Sequence, residues 1–167
     1  MDLRVEHEAA LTAMLMDRGY DSVERVGEDK LMARQAAAPE ACCLEVVFVH
    51  NLSLPETRKY CADSSPRLFV CKTTTSRAMK AVPSSTQIWL TKALKTAGIF
   101  KRHRLMPNHR LLSAAEGAAL EHARQWPKIK VADPMSRYYG AGPGDVFRIE
   151  EVSFEGTKVV RYRIVVA

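Results

Sequence analysis

Apolar residues return at helical spacing between Val5 and Arg18, at Val5, Ala9, Leu11, Met14 and Leu15, and Gly19 follows as a stop. That pattern predicts a first helix. Residues 21 to 40 are polar and alanine-rich and read as a second short helix ending at Pro39. Leu44–His50 is mostly apolar and predicts a strand that is largely buried. Leu54–Ala62 predicts a short helix with Pro55 in its first turn, and Leu68–Lys72 another short strand. The polar cluster Thr73-Thr74-Thr75-Ser76 is suited to cap a helix over Arg77–Val82, which Pro83 stops. Gln87–Leu90 reads as a third strand, and Thr91–Ala97 as a helix ended by Gly98. Strand and helix alternate throughout this half, which predicts an α/β unit.

The pattern changes after Gly98. Lys101 to Arg110, extended around Pro107, reads as a connection between domains. Ser113 and Glu116 have the spacing of a capping box, with a helix running on to about Arg124. Lys128–Val131 is a short strand. Asp133 then offers an N-cap carboxylate with Pro134 at the first helical position, and Gly140 closes that helix. Pro143 and Gly144 fit the central positions of a type II turn. Val146–Val152 and Val159–Val166 predict a hairpin around Glu155-Gly156.

Charge adds a feature that the pattern does not show. The net charge is +6, yet none of the 19 acidic residues lies between Asp63 and Glu116, where ten basic ones fall: Arg67, Lys72, Arg77, Lys80, Lys92, Lys95, Lys101, Arg102, Arg104 and Arg110. So uneven a layout points to a partner rich in negative charge, with nucleic acid the first candidate. No run approaches the roughly 18 apolar residues of a membrane span, and the N-terminus is polar where a signal peptide is basic and then apolar, so a soluble intracellular protein is expected. Cys42, Cys43, Cys61 and Cys71 contain no CxxC pair and are expected as buried thiols rather than zinc ligands.

The glycines of Gly140-Ala141-Gly142-Pro143-Gly144 suggest a phosphate cradle, but the order of elements excludes it. A dinucleotide site needs strand, glycines, then helix; here a helix precedes and a strand follows. A P-loop needs Lys and then Ser or Thr after its last glycine, where this chain has Asp145-Val146, and an acid there repels phosphate. Nuclease chemistry needs carboxylates gathered on a metal. Glu45 and Lys72 are possible pieces, with Asp63 the one further acid at hand, and no acid before Glu116 completes the set. His7, His50, His103, His109 and His122 adjoin no Ser or Cys in a matching motif. No cofactor is expected.

The stretch from Trp126 to Ile149, WPKIKVADPMSRYYGAGPGDVFRI, resembles the C-terminal signature of the fifth subunit shared by eukaryotic nuclear RNA polymerases, a family with an archaeal equivalent. The ending Tyr162-Arg163-Ile164-Val165, the connector HRLMPNH from His103 to His109, the sequence DRGY from Asp17 to Tyr20, and TSRAMKAVPS from Thr75 to Ser84 are similar to the same family in the same order. The C-terminal motif is the specific one. The chain is shorter than eukaryotic members before Cys42 and around Leu52–Glu56, and Glu151 and Phe154 depart from the family pattern, as in a divergent paralogue or a viral version.

The resemblance implies a non-catalytic subunit of a DNA-directed RNA polymerase. It implies an α/β N-terminal jaw domain (1–100), a connector (101–112) and a small α+β C-terminal domain with a mixed sheet (113–167). The C-terminal domain would dock on the largest subunit through Asp133, Pro134, Arg137, Tyr138, Gly140, Gly144, Tyr162 and Arg163. Arg137, Tyr138 and Arg163 would make direct contact, because planar donors and aromatics anchor interfaces. Thr75, Ser76, Arg77 and Lys80 would face the backbone of downstream duplex DNA, without sequence preference. No membrane and no small-molecule ligand is implied. The location would be the nucleus (nucleolus for the ribosomal RNA polymerase), or the cytoplasm for a viral or archaeal protein. The alternative is a free-standing basic nucleic-acid-binding protein, against which stands the absence of aromatics interleaved with the basic residues.

Overall fold

Two apolar strands that alternate with helices set up the first half, and the computed structural model describes residues 3–36, 43–63, 65–83, 85–120, 125–153 and 155–167. The chain divides into two units, Met1–Gly98 and Ile99–Ala167.

The first unit opens with α1 (Leu3–Asp17). Its Leu11, Met14 and Leu15 are fully buried, and Gly19 at φ 88° turns the chain out of the helix. The segment expected to be a second helix is instead a hairpin, β1 (Ser22–Arg25) and β2 (Lys30–Arg34), paired Ser22 to Arg34 and Arg25 to Leu31. Leu31 and Ala33 point inward while Lys30, Met32 and Arg34 point outward to varying degrees. That is a period of two, spread over too few residues to outweigh the alanine content beside it. The expected end of that segment, Pro39, lies outside the described residues.

β3 (Cys43–Leu52), β4 (Arg67–Thr74) and β5 (Thr86–Leu90) are parallel, and α2 (Leu54–Tyr60) and α3 (Ser76–Ala81) connect them. The sheet order is β1-β2-β3-β4-β5. The antiparallel hairpin on β3 makes the sheet mixed, so the fold is α+β rather than the expected purely alternating unit. Arg67, Leu68, Phe69, Val70 and Cys71 are buried in succession, as a strand covered on both faces requires. On one face Val47, Phe69 and Cys71 pack with Ala78 of α3, and with Tyr60 and Cys61 at the end of α2. Each fully buried side chain of this size stabilises the fold by about 1.5–3 kcal/mol. Only Cys71 of the described cysteines is buried. Cys43 and Cys61 are half-buried, which corrects the expectation for them, and Cys42 lies outside the described residues. α4 (Thr91–Arg102) runs through Gly98, which was expected to end it. Gly98 is not among the glycines at positive φ, so it does not form the left-handed cap by which a glycine commonly ends a helix.

The second unit is a four-stranded sheet of order β6-β8-β9-β7, formed by β6 (Asn108–Leu111), β7 (Lys128–Lys130), β8 (Val146–Val152) and β9 (Lys158–Val166). It is mixed as expected, with β7 and β9 parallel and the other pairs antiparallel. The stretch expected as an extended connector therefore ends in a paired strand, β6, set against β8 from Asn108–Glu150 to Leu111–Phe147. Ser113 and Glu116 close a capping box at α5 (Ala114–Ala118), and residues 121–124, with His122 and Arg124, lie outside the described residues. α6 (Pro134–Tyr139) packs a ladder of rings against the sheet. Tyr138 meets Tyr139 at 5.3 Å between centroids, Tyr139 meets Phe147 at 5.6 Å, and Phe147 meets His109 at 6.0 Å, all edge-on.

Candidate functional site

The glycine loop is built from its own hydrogen bonds. The Asp133 carboxylate caps α6 by accepting the Met135 N–H at 2.8 Å. At the other end Gly140, at φ 69°, donates to the Arg137 carbonyl, and Ala141 donates to that of Ser136. Gly142 donates to the Asp145 carboxylate at 2.8 Å, and the Asp145 N–H returns to the Gly142 carbonyl around Pro143-Gly144, with Gly144 at φ 96°, a type II turn. The Gly144 N–H goes to Val165 on β9. Each N–H from Gly140 to Asp145 has an acceptor inside the protein, so the loop has no donors left with which to cradle a phosphate.

Beside α6 the sheet forms a cleft of about 260 Å³. Its apolar floor is Ile129, Met135 and Ile149, with Met106 and Pro107 at one side and Asp133, Glu151, Arg161 and Arg163 among the polar groups. His109 also lines it. The Pro107 carbonyl accepts a hydrogen bond from His109 Nδ1 at 2.8 Å, which fixes the proton on that nitrogen because a carbonyl has none to give. Burial pulls the His109 imidazole below its ordinary pKa, so the ring is neutral at neutral pH. Arg161 pairs with Glu151 at 3.5 Å. Arg163, two residues further along the same strand, is exposed and has no hydrogen-bond or ion-pair partner among the described residues.

The expected docking residues separate into two groups. Pro134, Arg137, Gly140, Gly144 and Arg163 are exposed. Tyr138, expected to make direct contact, is 3 % exposed and belongs to the ring ladder, where it holds α6 in place. Tyr162 is half-buried and stacks on Trp126 at 5.1 Å and 25°. Asp133 is turned into its own helix cap.

In the first unit Thr75, Ser76, Arg77 and Lys80 lie at α3, and all four are exposed. Thr75 Oγ1 accepts the Ala78 N–H at 3.2 Å and so occupies one donor of a six-residue helix, which leaves the Arg77 and Lys80 side chains as the groups with reach. The carboxylates considered for a metal are otherwise engaged. Glu45 accepts from Arg67 Nε at 2.6 Å and from Lys30, and Asp63 accepts from Arg67 as well. Burial raises the Glu45 pKa, but the hydrogen bonds from Lys30 and Arg67 outweigh it and leave the carboxyl below its usual value. The hydrogen bond from Arg67 brings Asp63 down to about 2. Burial pushes the Cys71 thiol up to about 11, the wrong direction for a nucleophile.

Comparison with known proteins fixes the relationship. Residues 100–165 match the family model described as RNA polymerase Rpb5, C-terminal domain. The protein named DNA-directed RNA polymerase subunit Rpo5 of Aeropyrum pernix is 36 % identical over 81 residues, which cover 46 % of this chain and 90 % of that one. The protein of the same name from Pyrococcus abyssi is 44 % identical over 73 residues, covering 41 % and 88 %. That from Archaeoglobus fulgidus is 39 % identical over 69 residues, covering 38 % and 91 %. The chain belongs to the Rpb5/Rpo5 family. The Rpb5 match lies within the second unit and takes in the glycine loop, the cleft and every expected docking residue. The α3 residues Thr75 to Lys80 lie outside that match.

Several groups of this Rpb5-type unit were not legible as functional residues in the sequence. His109, Ile129, Met135, Ile149, Glu151 and Arg161 meet in the cleft only because β6, β7, β8, β9 and α6 converge there. A hydrophobic pattern marks Ile129 and Ile149 as inward-facing, but no spacing in the chain signals that they share a floor. The Arg67 network has a clearer signal: Glu45 and Arg67 are register partners on adjacent parallel strands.

Proposed function

We propose that this chain is a non-catalytic structural subunit of a DNA-directed RNA polymerase, with its second unit docking on the largest subunit and its first unit forming part of the jaw near downstream DNA. The observation that carries the reading is the Rpb5-type match over residues 100–165, shared with archaeal relatives that are themselves named as polymerase subunits. The exposed Arg137 and Arg163 support docking, since arginine is over-represented in the energetic centres of interfaces. The division into two units supports a jaw domain over about residues 1–100 and a docking domain from there to residue 167. Catalysis would reside in the large subunits, and the location would be that of the polymerase: cytoplasmic in an archaeal or viral setting, nuclear in a eukaryotic one.

The DNA part of the reading rests on Arg77 and Lys80, exposed at α3 without an acidic residue between Asp63 and Glu116 in sequence. Several members of the basic span are already engaged within the chain, among them Arg67 with Glu45 and Asp63, Lys101 with the Tyr139 hydroxyl, and Arg110 with Glu116 at 3.0 Å. Exposed cations that meet phosphates act through counterion release, which makes binding sequence-independent and sensitive to salt.

Affinity purification of the tagged full chain from its native host is the first test, with the largest polymerase subunits expected in the eluate. A chain that emerged alone, or with nucleic acid only, would support the free-standing binder and end this reading. Within an assembled polymerase, replacing Arg77 and Lys80 by Gln is expected to weaken crosslinking to downstream duplex and to lower the salt slope by about one for each phosphate no longer neutralised. Unchanged crosslinking and slope would remove the DNA interaction while leaving the subunit assignment intact.

A further inference from the structure

The cleft beside α6 has a chemistry of its own. Its floor of Ile129, Met135 and Ile149 is apolar, and its volume of about 260 Å³ falls below the roughly 300 Å³ at which small-molecule sites begin. It therefore suits a side chain or two better than a metabolite. The charges around it are unequally committed. Glu151 is matched by Arg161, and Asp133 accepts the first free N–H of α6. His109 is held neutral by burial and offers no competing cation. Arg163 is left with its five N–H donors and no counter-charge among the described residues. A planar guanidinium beside an apolar floor is complementary to a carboxylate that adjoins an aliphatic side chain, because the carboxylate is gripped through two parallel hydrogen bonds while the aliphatic group displaces water.

We propose that this cleft receives a segment of the protein partner in which an Asp or Glu lies next to an aliphatic residue, the carboxylate on Arg163 and the aliphatic side chain on Ile129, Met135 and Ile149. The inference rests on the docking reading above and adds to it the kind of segment that fills the cleft.

The test uses the full chain assembled into the polymerase, with the photo-crosslinker p-benzoylphenylalanine in place of Met106 at the cleft wall. The crosslinked peptide is identified by mass spectrometry, and co-purification with the large subunits is scored in parallel. The expected result is a protein segment with an acidic residue beside an aliphatic one. Arg163→Glu should lower its yield at least about fivefold, and Arg163→Lys, which keeps the charge but not the fork, should lower it less. Thermal unfolding of each variant serves as the control for folding. A segment without an acid, a crosslink to nucleic acid, an unaffected yield in Arg163→Glu, or no crosslink although the chain still co-purifies would each overturn the inference and leave docking in place. Failure to co-purify would overturn the docking reading and the inference with it.

Discussion

In the first sheet Arg67 is 8 % exposed and held between Glu45 and Asp63; in the second, Arg163 stands exposed on β9 with no counter-ion among the described residues. Both sit on strands of mixed sheets, and both carry a guanidinium that cannot lose its proton. The difference lies in what each charge is used for. A buried guanidinium costs several kcal/mol to desolvate, and only close carboxylates with good geometry offset that cost. Arg67 is therefore committed to the fold of its own unit. Arg163 has kept its hydration, so a partner can trade water for a carboxylate there without dismantling anything. Arg67 turns its charge into its own sheet, and Arg163 turns its charge outward.

The strongest way to break the second sheet is through its rings rather than its charges. Phe147 is fully buried between Tyr139 and His109, and Phe147→Ala should destabilise that unit by about 3–5 kcal/mol. The two tryptophans allow the units to be followed separately: Trp126→Phe leaves Trp89 to report on the first unit, and Trp89→Phe leaves Trp126 to report on the second. Denaturant titration of the Trp126 reporter checks the loss. Next in size is Arg67→Ala, which strands Glu45 with Lys30 alone and should cost the first unit about 2–4 kcal/mol, read by Trp89. Replacing Arg67 and Glu45 together by Met and Leu should restore most of it, since the penalty belongs to the orphaned partner and not to the absence of a pair.

The pH dependence separates the units further. His109 is depressed in the folded state, so the unfolded chain binds a proton first, and the second unit should begin to lose stability as the pH falls below about 6.5. Glu45 and Asp63 are also depressed, so the stability they supply is present above their unfolded values and is lost only as the pH falls through about 4.5 and 3.8 toward the folded values. Acid titration of the two single-tryptophan chains should show the Trp126 reporter weakening first. Smallest of all is Arg163→Gln, expected to change the unfolding free energy by no more than about 0.5 kcal/mol while weakening the grip on the partner. A large loss of stability in that variant would mean that Arg163 serves the fold after all.

The sequence disclosed elements wherever one signal dominated. Asp133-Pro134, Gly140 and Pro143-Gly144 each perform locally what their chemistry favours, and the apolar runs of β3 and β4 leave little choice but burial. Legibility failed where a local signal was ambiguous or the cause was distant. Gly98 resembles a helix stop until the α4 backbone shows that it never takes positive φ. The β1–β2 hairpin alternates over only a few residues, several of them small or half-polar. Tyr138 has the composition of an interface anchor, but its place on α6 turns it inward, and a one-residue difference on a short helix decides that. The site itself was visible as a motif and not as a surface: the same stretch that carries the family signature supplies both the core rings and the cleft wall.

The turn at Gly144 carries one last implication. Beyond its own chain neighbours, no heavy atom lies within 4 Å of where a methyl group on its α-carbon would sit, yet φ is +96°. The corner therefore selects for handedness and is indifferent to bulk. Gly144→Asn, the larger change, should be tolerated better than Gly144→Ala, because asparagine enters left-handed backbone more readily. Size-ranked substitution scales would order these two variants the wrong way round, and a thermal melt of the pair would show it.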